Sequence, residues 1–238
     1  MTYKRQMEKA IKEYLASVGF KYYAPRCTYV KRINDDVLYT IIYGTASYYM
    51  KEFYELSIDI RILYRSWNNL LYQLTEGSCD FDSFLGGTVF FPARKTWNEE
   101  QIVFTGERSI KENIDIFQKE LETCAYPILE RYTDKEVLYQ DMLNQVNEFA
   151  YCKNKKQYMP IAHYVNGNYE AALQYVEEVL KVSTQNYQKN PQAPAYIKDL
   201  HDFTLYQKNL KKLIAGQSLP PRDTPSIVTQ ILQKLYKK

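Results

Sequence analysis

Apolar side chains open the chain at helical spacing: Met7, Ala10, Ile11, Tyr14, Leu15 and Val18 fall on one face. Thr2 stands at the N-cap position and Gly19 where a helix ends in a left-handed residue, so a helix is predicted between them. The period then shortens to two. Phe20 to Tyr23, Cys27 to Ile33, Val37 to Tyr43 and Lys51 to Tyr64 are rich in Tyr, Val and Ile and read as strands, with Asn34-Asp35-Asp36 supplying a turn. In the last of these, Tyr54, Leu56, Ile58, Ile60, Ile62 and Tyr64 alternate with Phe53, Glu55, Ser57, Asp59, Arg61 and Leu63. That alternation predicts one buried and one largely polar face.

Arg65 to Leu74 reads as a short helix, Gly77 to Pro92 as a loop with a candidate strand at Thr88-Val89-Phe90-Phe91, and Gln101 to Thr105 as a further strand. Ser109-x-x-Glu112 is a capping box, and Ile110, Ile114, Phe117, Leu121, Ala125 and Ile128 follow on one helical face, with Pro127 expected to bend the last turns. This helix is expected to cover the sheet. A second capping box, Thr133-x-x-Glu136, precedes Leu138, Met142, Val146 and Phe149. Helical spacing continues through Tyr158 to Val165, breaks at Asn166-Gly167-Asn168, and resumes with Tyr169, Ala172, Leu173, Val176 and Leu180. Beyond Pro191 and Pro194, one helix carries Tyr196, Leu200, Phe203, Leu210 and Leu213 to a stop at Gly216. A terminal helix follows, with Thr224 as cap, Pro225 at its first position and Ile227, Ile231 and Leu235 on one side.

Strands first and helices after is the order of an α+β fold: an N-terminal helix and an antiparallel sheet covered by a helix, then a helical extension. The expected division is an α+β domain over 1–131 and the extension over 132–238. The composition agrees with a folded chain, since 45% hydrophobic and 25% charged residues, with 8 Gly and 9 Pro among 238, exclude collagenous and low-complexity classes. The longest uncharged stretch, Val37 to Met50, has 14 residues and contains Gly44, too short to span a bilayer, so no membrane association is expected. The first residues, with Lys4, Arg5, Glu8, Lys9, Lys12 and Glu13, lack a signal-peptide core, and the expected compartment is the cytoplasm. Cys27, Cys79, Cys124 and Cys152 lie far apart in sequence and are expected to be reduced thiols.

Charge is unevenly laid out. Residues 1–32 carry 8 Lys and Arg against 2 Asp and Glu, residues 33–130 carry 8 against 16, and residues 131–238 carry 15 against 10. An acidic middle segment argues against nucleic acid on the strands, and no ribonucleoprotein motif is present. A nucleic-acid role would have to use Lys4, Arg5, Lys9 and Lys12, or Lys208, Lys211 and Lys212.

Gly19-Phe20-Lys21, followed by Thr28-Tyr29 and Arg32 in an aromatic strand, resembles the opening of a bacterial family of uncharacterised domains that begins with a helix, a Gly-Phe-Lys element and an aromatic strand. The resemblance covers about residues 1–65 and implies a cytosolic bacterial protein with no activity attached. Ala162, Gly167, Tyr169, Ala172 and Leu173 are similar to the small-residue pattern of one tetratricopeptide repeat. A single copy reads as a helical hairpin, with Gly167 and Ala172 expected to let the helices approach closely.

Motifs for chemistry are sparse. Gly86-Gly87 is followed by Thr88, and there is no phosphate-binding loop, no Gly-x-Ser-x-Gly and no His-Glu-x-x-His. His163 and His201 have no Cys or His within four residues, so no metal or cofactor is expected. Cys152 with His163 is the nearest thiol–imidazole pair in sequence, and both read as core residues. Glu55 and Asp59 share a strand face but lie about 13 Å apart, too far for a glycosidase pair. Asp80 and Asp82 lack the frame of a calcium loop.

The compositional anomaly is tyrosine, 24 residues, with Tyr22, Tyr23, Tyr29, Tyr39, Tyr43, Tyr48, Tyr49, Tyr54 and Tyr64 in the strand region. Tyr offers rigid contact area at low entropic cost, and an adjacent pair such as Tyr48-Tyr49 places one ring on each face of a strand. The expected function is a non-catalytic protein-binding module, for example a bacterial immunity-type protein that neutralises a toxin by direct binding. The expected partner-binding residues are Tyr48, Tyr49, Glu55, Asp59 and Arg61. The alternatives are an enzyme whose site no motif connects, or a nucleic-acid-binding protein.

Overall fold

The computed structural model describes residues 2–47, 52–77, 85–88, 102–146, 155–220 and 224–236. The fold is α+β: an N-terminal helix and a six-stranded antiparallel sheet, with one helix between the fourth and fifth strands and the remaining helices following the sixth. The chain divides into two compact units, 1–62 with 86–140 and 63–85 with 141–238. Phe149 and Val89 to Phe91 lie outside the described residues.

The first unit begins with α1 (Tyr3–Ser17), which buries Met7, Ile11 and Leu15 at four-residue intervals. Gly19, at φ +92°, closes it: Phe20 N–H donates to the Leu15 carbonyl at 2.9 Å and Gly19 N–H to that of Ala16 at 3.1 Å. This paired closure needs a left-handed residue, which glycine adopts without Cβ strain. Thr2 occupies the N-cap position, but its side chain makes no capping bond.

The strands are β1 (Lys21–Tyr23), β2 (Thr28–Arg32), β3 (Val37–Ser47), β4 (Phe53–Tyr64), β5 (Leu85–Thr88) and β6 (Ile102–Thr105). Their order across the sheet is β1-β2-β3-β4-β5, and β6 pairs with β4. Asn34 makes the β2–β3 turn by accepting from the backbone N–H groups of Asp36 and Val37, both at 2.8 Å. Both faces of β2 and β3 are buried: Tyr29, Tyr39 and Ile41 on one, Val30, Leu38 and Thr40 on the other.

On β4, Leu56, Ile58, Ile60 and Ile62 are buried, as the alternation predicts. The covering helix is α3 (Ile110–Glu120), whose capping box is complete: Ser109 Oγ accepts from Glu112 N–H and the Glu112 carboxylate accepts from Ser109 N–H. Phe117 packs against Phe104 at 6.5 Å and edge-on to Tyr14 of α1 at 5.8 Å. Phe104 lies opposite Tyr54 of β4, which stacks on Tyr3 of α1, so α1 and α3 meet the same face of the sheet.

Between α3 and α4 (Tyr126–Arg131) the helix widens into a π turn over Leu121–Ala125, where Tyr126 N–H reaches back to the Leu121 carbonyl. Pro127 accounts for it. Its ring would collide with the carbonyl of Thr123, four residues earlier, and it has no N–H to give that carbonyl; the wide turn accommodates both. The next helix, α5 (Lys135–Leu143), is capped by Asp134 and not by Thr133. Asp134 Oδ1 accepts from Glu136 N–H at 2.8 Å, while the Thr133 hydroxyl donates to the Leu129 carbonyl and bonds Tyr39.

The second unit is helical. It contains α2 (Arg65–Leu74), α6 (Lys155–Val165), α7 (Tyr169–Lys189), α8 (Pro194–Ile214) and α9 (Ile227–Tyr236). Trp67, Asn68, Leu71 and Leu74 of α2 are buried against α6, α8 and α9. In α6 six consecutive residues, Tyr158 to His163, are buried, because α2 and α7 both pack on this helix. A helix enclosed from several sides loses the one-sided stripe of a surface helix.

Gly167 differs from expectation. A Cβ there would meet nothing within 4 Å, so it serves the turn, at φ +76°, and not close helix approach; Ala172 is fully buried. At α9 the cap is Ser226, whose Oγ accepts from Thr229 N–H, and Thr224 bonds the Tyr72 hydroxyl instead at 2.7 Å. Asn209 of α8 donates from Nδ2 to the buried Leu74 carbonyl at 3.0 Å, finishing α2 from 135 residues away.

Candidate functional site

The strand period places Glu55, Asp59 and Arg61 on one face of β4, all half-buried. Arg61 Nη2 lies 3.3 Å from Asp59 Oδ2, with the two side chains 22% and 32% exposed. The pair therefore satisfies its own charge within the strand and contributes little stability, about 0–1 kcal/mol. Glu55 lies opposite Val103 of β6 and about 13 Å along the strand from Asp59, so it is not brought to that pair. Glu55 and Arg61 each have further interactions. Tyr48 and Tyr49 lie outside the described residues.

A second arrangement joins three of the strand tyrosines. Tyr22 of β1 lies opposite Tyr29 of β2, which lies opposite Ile41 of β3, two residues from Tyr43 on the same face. The Tyr22 and Tyr29 rings are 5.0 Å apart, and Tyr29 stacks on Tyr43 at 6.0 Å and 24°. The central ring is the most enclosed: Tyr22 is 41% exposed, Tyr29 only 6% and Tyr43 half-buried. Burial raises the pKa of Tyr29 and of Tyr43, whose hydroxyls are hydrogen-bonded to one another. The Tyr22 hydroxyl is raised chiefly by its hydrogen bond to the Cys27 thiol, then by burial. All three are neutral phenols near pH 7, so the row offers an uncharged aromatic surface with hydrogen-bonding edges.

The connection explains the pairing. Pro25 is the second residue of a single 3₁₀ turn, Ala24–Arg26, and Cys27 follows at φ +48°, which returns the chain so that Tyr22 meets Tyr29. The sequence signal was the pair Tyr22 and Tyr29 flanking a proline-containing connection; without the register, neither stood out from the other strand tyrosines.

Elsewhere, His163 is buried, 8% exposed, with its ring 6.4 Å from that of Tyr175, and burial lowers its pKa. Cys152 lies outside the described residues, as do Cys79, Asp80 and Asp82. Cys27 and Cys124 are free thiols, exposed and half-buried respectively. Among the described residues no group of three or more His, Cys, Asp or Glu is placed to hold a metal ion, and no helix is long and apolar enough to cross a membrane.

Charge blocks along the sequence become even once folded into units. The first unit carries 17 Lys and Arg against 17 Asp and Glu, and the second 14 against 11. Three of the lysines a nucleic-acid role would use face carboxylates: Lys4 with Glu8 at 3.9 Å, Lys9 with Glu13 at 3.6 Å and Lys211 with Glu177 at 3.7 Å. No family model, no curated protein and no solved structure matches the chain.

Proposed function

We propose that this chain is a non-catalytic protein-binding module, in its concrete form a bacterial, cytoplasmic immunity-type protein that neutralises a toxin by direct binding. The observation that carries the reading is the tyrosine row: Tyr22 is exposed while its ring rests on the buried Tyr29, which is stacked on Tyr43. An aromatic anchor already held in place loses little entropy on docking, and such anchors dominate binding energy. The internally paired Asp59 and Arg61 suit a rim of mixed charge and not a polyanion. The resemblance of residues 1–65 to the bacterial family supports the compartment.

The test uses proteins encoded beside this gene, any toxin among them, and single-stranded nucleic acid as competitor ligand. Calorimetric titration at low and moderate salt is expected to give a protein complex with shallow salt dependence, weakened about 10–30-fold by Tyr22→Ala. A complex indifferent to Tyr22→Ala would overturn the anchor. Steeply salt-dependent nucleic-acid binding, lost on joint Lys208→Ala and Lys211→Ala replacement, would overturn the function.

A further inference from the structure

We draw no further inference here: the strongest candidate, the surface of the α7–α8 pair carrying the exposed side chains Val182, Tyr196 and Ile197, carries nothing because nothing in the structure shows what covers it.

Discussion

Replacing Asn209 with alanine removes the side chain that closes α2 from a distance, and the cost follows from where the bond lies. Asn209 is 2% exposed and its Nδ2 donates to the Leu74 carbonyl in a buried bond of 3.0 Å. The turn amides of Thr75, Glu76 and Gly77 bond to Leu71, Gln73 and Tyr72, and none of these bonds goes to Leu74. Among the described residues no other donor reaches that carbonyl, so the substitution leaves it without one. A net hydrogen bond contributes about 0.5–1.5 kcal/mol, and a stranded buried acceptor costs about 1–3 kcal/mol, so Asn209→Ala is expected to cost about 2 kcal/mol or more. At roughly 2–4 °C per kcal/mol for a chain of this size, Tm should fall about 4–8 °C.

An internal control exists. Asn166 makes the same kind of bond, Nδ2 to the Ala162 carbonyl at 2.9 Å, but it is exposed and its own backbone N–H also reaches that carbonyl. Water replaces the lost donor there, and Asn166→Ala should cost about 0.5 kcal/mol. Urea and thermal unfolding, followed by fluorescence of the buried Trp67 with Trp97 replaced by Phe, read both variants in one background. Equal losses for Asn209→Ala and Asn166→Ala would refute the argument that burial sets the cost.

Ile60→Asp should cost more than about 4 kcal/mol, because it buries an unpaired carboxylate at a position 5% exposed, whereas Asp59→Ala should change stability by under about 1 kcal/mol; chemical denaturation separates them. Gln145 holds φ +52° just beyond α5, so Gln145→Gly should raise stability by about 0.5–1 kcal/mol, and a loss in the same assay would show that its side chain has a role there. Burial disfavours the His163 imidazolium, so the unfolded chain binds more protons below about pH 6.5 and stability falls as pH drops through that value toward the lower folded pKa. Denaturation midpoints for the native chain and His163→Gln should run parallel above about pH 7.5 and diverge below pH 6.5, the variant showing the shallower decline.

Local pattern was legible in the sequence wherever one element decides the outcome alone. The alternation from Leu56 to Ile62, the Ser109–Glu112 box and the closure at Gly19 need only neighbours in the chain. Caps slipped where a second acceptor competed. The Thr133 hydroxyl is used by the Leu129 carbonyl, so Asp134 takes the cap, and Thr224 bonds Tyr72 while Ser226 takes its place. The long helical face ending in Pro127 was readable, but its wide turn depends on backbone geometry that spacing does not encode. The tyrosine row was hidden for a similar reason, since it exists only through the cross-strand registers of Tyr22, Tyr29 and Ile41.

The placement of α2 among helices that follow it much later has a consequence for synthesis. Its buried face, Trp67, Leu71 and Leu74, leaves the ribosome well before α6, α8 and α9, and the residue that closes it comes 135 positions later. At about 5–20 residues per second, that interval lasts roughly 7–27 s. α6 arrives partway through it, but until α8 is complete a tryptophan and two leucines on a ten-residue helix lack part of their helical cover, a nascent-chain segment suited to a holding chaperone. A chain stopped short of Asn209 would carry the same face without its closing hydrogen bond, and should be the form cleared by proteolysis.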